Sequence, residues 1–395
     1  MNYLVIHNFL GGDFMGDHCR RLETIMVQGC REREDTTGAI SMPIYQSATF
    51  RHRGLNKSTG YDYSRSENPT REELEKTIAK LEGGKAGFAF STGMAAIDAV
   101  ARLFSPKDHM IVSEDLYGGT YRLFEQVYKK YGVETTYVDT TDIEKVEAAL
   151  RKNTKAIFIE TPSNPMMRIT DIEKITAIAR PLEILTIVDN TFLSPYFQRP
   201  LLLGADIVIH SGTKFLGGHN DTLSGIIVAN KFIEELRFTQ VSTGAVLSPF
   251  DSWLILRGIK TLSIRVEKQQ ENAIKISNWL NECKAVKEVF YPALKNHKGY
   301  DISIKQATGF GSMISFNVNE KENIERVLEK LEVIYFAESL GGVESLITYP
   351  YTQTHAAIPE DIRNRIGIKD TLLRLSVGIE NVEDLIEDLD RALNY

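Results

Sequence analysis

Between residues 86 and 229 the chain repeats one pattern: a short apolar run, a polar or glycine-rich cluster, then a helix-compatible segment. The runs cover 86–90, 110–112, 135–138, 156–159, 185–188, 206–209 and 223–228. Runs of this length, bounded by turn formers, read as strands. Because they are apolar almost without alternation, they predict strands buried on both faces. That burial requires a mostly parallel sheet covered by helices on both sides, an α/β fold. Intervening helices are expected over 71–81, 94–104, 120–131, 142–151 and 171–180. Thr70 with Glu73 three residues on reads as a capping box for the first of them.

The flanks differ. Residues 23–69 carry many turn formers and too few periodic apolar positions to build a core, and read as an extended arm. Beyond 256 the pattern changes to a long connecting helix over 252–273 and an amphipathic helix over 273–283. A strand pair follows around Val289 and 313–316, then helices over 323–331 and 382–393. The expected organisation is therefore an extension (1–22), an arm (23–69), a ligand-binding domain (70–256) and a smaller α+β domain (257–395). Gly11-Gly12-Asp13-Phe14 before Met15 fits a translated ribosome-binding sequence, so translation is expected to start at Met15. The stretch 3–10 lacks the charged flank and cleavage site of a signal peptide.

Sheets of this kind bind ligands at the carboxyl ends of their strands, and the unusual residues fall there. Ser91-Thr92-Gly93-Met94 joins a strand to a helix, where free N–H groups suit a phosphate. Asp189 ends an apolar strand, a costly place for an unpaired carboxylate. Ser211-Gly212-Thr213-Lys214 ends another, and a desolvated lysine there becomes a usable amine nucleophile. The order of these residues excludes a P-loop, and Gly309-Phe310-Gly311 lacks the third glycine of a dinucleotide fingerprint. Amine, phosphate-binding groups and a carboxylate to hold a pyridine nitrogen protonated together suit an aldehyde cofactor bearing phosphate, pyridoxal phosphate (PLP). Arg374 lies on a strand between apolar residues and wants a carboxylate, such as a substrate's.

The net charge of −7 offers no basic stripe for nucleic acid or an anionic membrane. Three cysteines, Cys19, Cys30 and Cys283, fit a reducing, cytoplasmic setting and have no metal-ligand spacing. No metal site is expected.

Five motifs in order make a specific resemblance. They are Tyr61-Asp62-Tyr63-Ser64-Arg65 with Asn68-Pro69-Thr70, Glu160-Thr161-Pro162-Ser163-Asn164-Pro165, Val188-Asp189-Asn190-Thr191, Asp206-Ile207-Val208 with Ser211-Gly212-Thr213-Lys214, and 338–345. From about Leu22 onward the chain resembles the Cys/Met-metabolism family of PLP-dependent enzymes. The resemblance implies the aspartate-aminotransferase fold (fold type I), with a seven-stranded-type sheet. It implies that Lys214 is the Schiff-base lysine and shuttles the Cα proton, that Asp189 pairs with the pyridinium nitrogen and that Tyr117 stacks on the ring. Gly93, Met94, Ser211 and Thr213 would hold the phosphate, joined by Tyr63 and Arg65 from a neighbouring subunit, in a homotetramer built of catalytic dimers. Asn164 and Arg374 would orient cofactor and α-carboxylate. Ser339, Glu338, Asp62 and Arg122 would serve the substrate.

Within the family, Gly119 stands where methionine γ-lyases usually carry cysteine. Asp62, Arg122, Glu338 and the 349–355 segment are most similar to enzymes of γ-replacement, which join an O-acylhomoserine to cysteine and make cystathionine. Cystathionine γ-lyase and O-acetylhomoserine sulfhydrylase activities stand next, with cystathionine β-lyase and methionine γ-lyase further off. From other classes, a nucleotide-binding α/β protein and a regulator of the same fold without catalysis compete. Relatives often have alanine at Gly212, and glycine there is expected to loosen the turn slightly.

Overall fold

The computed structural model describes residues 20–30 and 37–394. The apolar runs form β1 (Ala86–Phe90), β2 (His109–Ser113), β3 (Glu134–Val138), β4 (Thr154–Glu160), β5 (Leu185–Asp189), β6 (Ile207–Ser211) and β7 (Gly225–Ala229). They make one seven-stranded sheet in the order β1-β7-β6-β5-β4-β2-β3. From β3 to β6 all pairs are parallel, whereas β7 runs antiparallel to both of its neighbours. The fold is the α/β fold expected.

Absence of alternation in the runs has the expected cause. On β6, Val208 packs into a cluster with Leu74, Ile78 and Leu81 of the helix Pro69–Glu82. Its neighbours Ile207 and Ile209 join Ile97, Val100 and Phe124 on the opposite face. Each such side chain contributes about 1.5–3 kcal/mol on burial. Both faces are therefore dry, and polar groups are displaced to the strand ends.

Two helix expectations are corrected. Asn68, not Thr70, caps the helix Pro69–Glu82, its side chain accepting from the Thr70 and Arg71 amides. Thr70 instead donates to Pro43 O and accepts from Tyr45 N, tying the arm down, while Glu73 accepts from Cys30 N. The helix expected over 252–273 is two, Pro249–Ile259 and Leu262–Glu282, and the second absorbs the amphipathic helix expected over 273–283. The break follows Gly258, where an added Cβ would lie 2.3 Å from Gly217 O and 2.6 Å from Leu216 O.

A second sheet holds β8 (Val286–Phe290), β9 (Met313–Val318), β10 (Tyr335–Phe336), β11 (Leu346–Thr348) and β12 (Leu372–Ser376), in the order β10-β11-β12-β9-β8. Only β10–β11 is parallel. Ile276, Leu280, Leu385 and Leu389 cover it. β10 and β11 are too short to leave a periodic signal.

The arm is not extended throughout. Its first described part is a helix, Leu22–Gln28, with Ile25 and Met26 buried in the main core. Residues 37–67 are mostly exposed, closed on themselves by a bridge between Thr49 and Tyr63. The expectation about Met15 falls outside the described residues. No helix among those described is long and apolar enough to cross a membrane.

Candidate active site

The strand ends surround a cavity of about 350 Å³. Gly93, Met94, Tyr117, Asn164, Asp189, Ser211, Thr213, Lys214, Glu338, Ser339 and Arg374 all line it. Its β6 wall holds Lys214, whose Nζ donates to Ser339 Oγ at 2.7 Å. Burial, with the nearby Arg374 charge, lowers this amine to about 8. Its unprotonated, nucleophilic share therefore grows as the pH rises through about 8.

Asp189 ends β5, 9% exposed, its Oδ1 accepting from Thr191 N at 3.0 Å and Thr191 Oγ1 at 2.6 Å. Burial raises it, and those donors oppose the rise. Behind the sheet lies a buried pair, His210 Nε2 to Glu82 Oε1 at 2.6 Å, which Asn190 Nδ2 joins at 3.1 Å.

One end of the cavity is built by the helix Gly93–Ala101, whose N-cap Thr92 accepts from Ala95 N. Among the described residues no partner takes the Gly93 and Met94 N–H groups, so two donors remain at a helix N-terminus. A Cβ on Gly93 would sit 3.1 Å from both Ser211 Cβ and Oγ, filling the gap between the helix and β6. Thr213 Oγ1 is engaged with the Ser224 backbone, accepting from its N–H at 2.9 Å. A Cβ on Gly212 would lie 2.2 Å from Ser224 Oγ, so the glycine makes room for that hydroxyl.

Arg374, on β12, donates to Asn164 Oδ1 at 2.8 Å, Ser339 O at 3.0 Å and Thr348 Oγ1 at 3.2 Å. Burial lowers it to about 10, so it stays charged at neutral pH. His355 braces this clamp from behind, its Nε2 donating to Asn164 O at 2.9 Å. Burial, then the Arg374 charge, lowers His355 to about 3, so it is neutral.

Four expected residues do not reach this chain's own cavity. Asp62 pairs with His52 at 3.1 Å, and Arg65 donates to Val241 O at 3.0 Å with its guanidinium over the Tyr63 ring. Arg122 is exposed on the helix Gly118–Gln126. Conversely, Glu160, Thr354 and Leu223 line the cavity without having been singled out. Position at a strand end was the available signal for Glu160.

A match to the family model for Cys/Met metabolism PLP-dependent enzymes spans residues 23–394. The chain belongs to that family. Its cofactor is PLP, and the cavity fits it: a buried amine, two free helix amides over a glycine-sized gap and a carboxylate share one cup. The chain is similar to the cystathionine γ-lyase of Bacillus subtilis (strain 168), 51% identical over 94% of this chain and 98% of that one. It is also similar to the cystathionine β-lyase of Lactococcus lactis subsp. cremoris (strain MG1363), 50% identical over 94% and 98%. Among solved structures, the cystathionine γ-synthase of Xanthomonas oryzae pv. oryzae, in complex with aminoacrylate and cysteine, superposes with a TM-score of 0.92. That protein is 41% identical, over 95% of this chain and 98% of that one. The fold is therefore fold type I, and the chain is a trans-sulfuration enzyme acting on carbon–sulfur chemistry.

Proposed function

We propose that the chain catalyses γ-replacement, exchanging the acyloxy group of an O-acylhomoserine for the sulfur of cysteine to give cystathionine. The buried Lys214 amine, held on Ser339 within the cup that contains Asp189 and Arg374, carries the reading. Bound PLP supplies the sink for negative charge formed at the substrate's Cα. Lys214 attaches the cofactor and, once displaced, moves the Cα proton. An amine near pH 8 suits that exchange. Asp189 holds a proton at the ring nitrogen, and Tyr117 covers the ring. Gly93, Met94, Ser211 and Thr213 bind the phosphate, and Arg374 with Asn164 fixes the α-carboxylate. Tyr63 and Arg65 serve a neighbouring subunit's cup, in a tetramer built of catalytic dimers, and Asp62 and Arg122 act on substrate beside Glu338. Residues 70–256 and 257–395 form the two domains.

Two features set the reading apart from the β-lyase and methionine γ-lyase alternatives, the first being shared by γ-synthases and γ-lyases. Glu338 borders the cavity. Gly119 stands where methionine γ-lyases usually carry cysteine, and a Cβ there would lie 2.5 Å from the Tyr117 ring and require it to shift. A second reading, elimination from cystathionine at Cγ, draws on the likeness to the Bacillus subtilis γ-lyase. A substrate panel separates them: O-acetyl- and O-succinylhomoserine with cysteine or sulfide, against cystathionine and methionine alone. Cystathionine formation as the fastest reaction is expected. Dominant 2-oxobutyrate from cystathionine would favour the γ-lyase, and dominant pyruvate the β-lyase.

A further inference from the structure

β4 and β5 end side by side, and each ends on a carboxylate. Glu160 stands opposite Asp189 in the sheet register, both line the cavity, and they are 6% and 9% exposed. Two ionised carboxylates so close in a dry setting repel strongly, and one takes up a proton. Each carboxyl receives two donors, which favour charge on both alike, so the neighbouring charges decide which. Asp189 receives an amide and a hydroxyl from Thr191, and the neighbouring His210 also favours its charge. Glu160 Oε2 receives the Tyr117 N–H at 3.0 Å, with the Asn164 backbone as a further donor. A neutral acid's carbonyl oxygen can accept both. The charged groups facing Glu160 are Asp189 from β5, Asp115 from the loop after β2 and Arg374 from β12. Asp115 adds repulsion, while Arg374 already donates to Asn164, Ser339 and Thr348.

We propose that Glu160 is a positioning residue that works as a neutral acid, tying together the loops of Tyr117 and Asn164 while leaving Asp189 as the charged member of the pair. This rests on the reading of Asp189 as the partner of the ring nitrogen. Burial first, then the charge of Asp189, pushes the Glu160 carboxyl well above the usual range, in the same direction as the geometry. Raising the pH therefore ionises Glu160 and places a second negative charge in the cup.

The test uses the holoenzyme. E160Q keeps a neutral acceptor, so kcat/KM at neutral pH should stay within about threefold of the parent, whereas E160A should lose about 30-fold or more. The parent's cofactor absorbance should show an alkaline transition that E160Q lacks. Infrared spectra of protein labelled with 13C-glutamate should contain a protonated-carboxyl band at neutral pH. The parent alone gives this reading, even if E160Q fails to fold. Absence of that band, or a loss of about 100-fold in a folded E160Q, overturns the proposal. Failure of borohydride to fix cofactor to Lys214 would sink the proposed function instead and leave the infrared band in place.

Discussion

The strand-end cup and the arm are built on opposite principles. In the cup nearly every polar group has its partner within the same chain: Lys214 rests on Ser339, Asp189 on Thr191, and Arg374 on Asn164, Ser339 and Thr348. The arm places Ile40 at 93% and Leu55 at 92% exposure and turns Asp62, Tyr63 and Arg65 away from the cavity. The cup's intrachain partners hold the three side chains in place before any ligand arrives. The arm's exposed apolar residues, Ile40 and Leu55, stand apart from the core that the cup is built on. The first region fixes its side chains by contacts of its own, and the second leaves most of its side chains exposed.

Several measurements would break or sharpen that contrast. The largest effect is expected from Lys214→Ala, which should abolish turnover and borohydride-fixable cofactor. Retained turnover would remove the cup's claim to be the reaction centre. Arg374→Lys comes next, because a point charge cannot reproduce the three-way guanidinium contact. KM should rise by about 100-fold with a smaller change in kcat, a loss of about 2.7 kcal/mol. Arg65→Ala should weaken cofactor retention by about tenfold, whereas loss of its contact to Val241 O costs at most about 1.5 kcal/mol of stability. If retention is unchanged, the cup is complete without the arm. Gly119→Ala should displace the Tyr117 ring and lower kcat/KM several-fold, to the order of tenfold. The smallest effect concerns pH. Apoprotein should take up PLP faster as pH rises through about 8, where Lys214 loses its proton. A flat profile would mean that the amine is not desolvated.

The same contrast explains what the sequence could convey. The strand ends were legible because burial on both faces leaves polar residues nowhere else to go, so Asp189 and Lys214 stood out by position alone. Capping was misread at Thr70, since a hydroxyl followed by Glu73 matches a local rule while the arm's carbonyl at Pro43 competes for it from 27 residues away. The break between the helices Pro249–Ile259 and Leu262–Glu282 carries no proline, and the close approach of Gly258 to Leu216 and Gly217 beside it is a contact distant in sequence. The room that Gly212 leaves for Ser224 Oγ is another contact set by the fold and not by the local sequence. Glu160 was passed over as part of a motif, because its pairing with Asp189 arises only from strand register.

The crossing of Gly258 over the lysine loop has a consequence for dividing the chain. Just beyond it, Arg265 donates to Phe215 O at 2.9 Å and Gly258 O at 2.8 Å, and its guanidinium fills the space over Gly218. Burial lowers it to about 10. The carbonyls that follow Lys214 are thus capped by a residue on the far side of the proposed boundary at 256. A fragment ending there would keep all seven strands and lose the guanidinium that holds its nucleophile's loop. For anyone splitting or permuting this enzyme, the usable seam lies beyond Arg265.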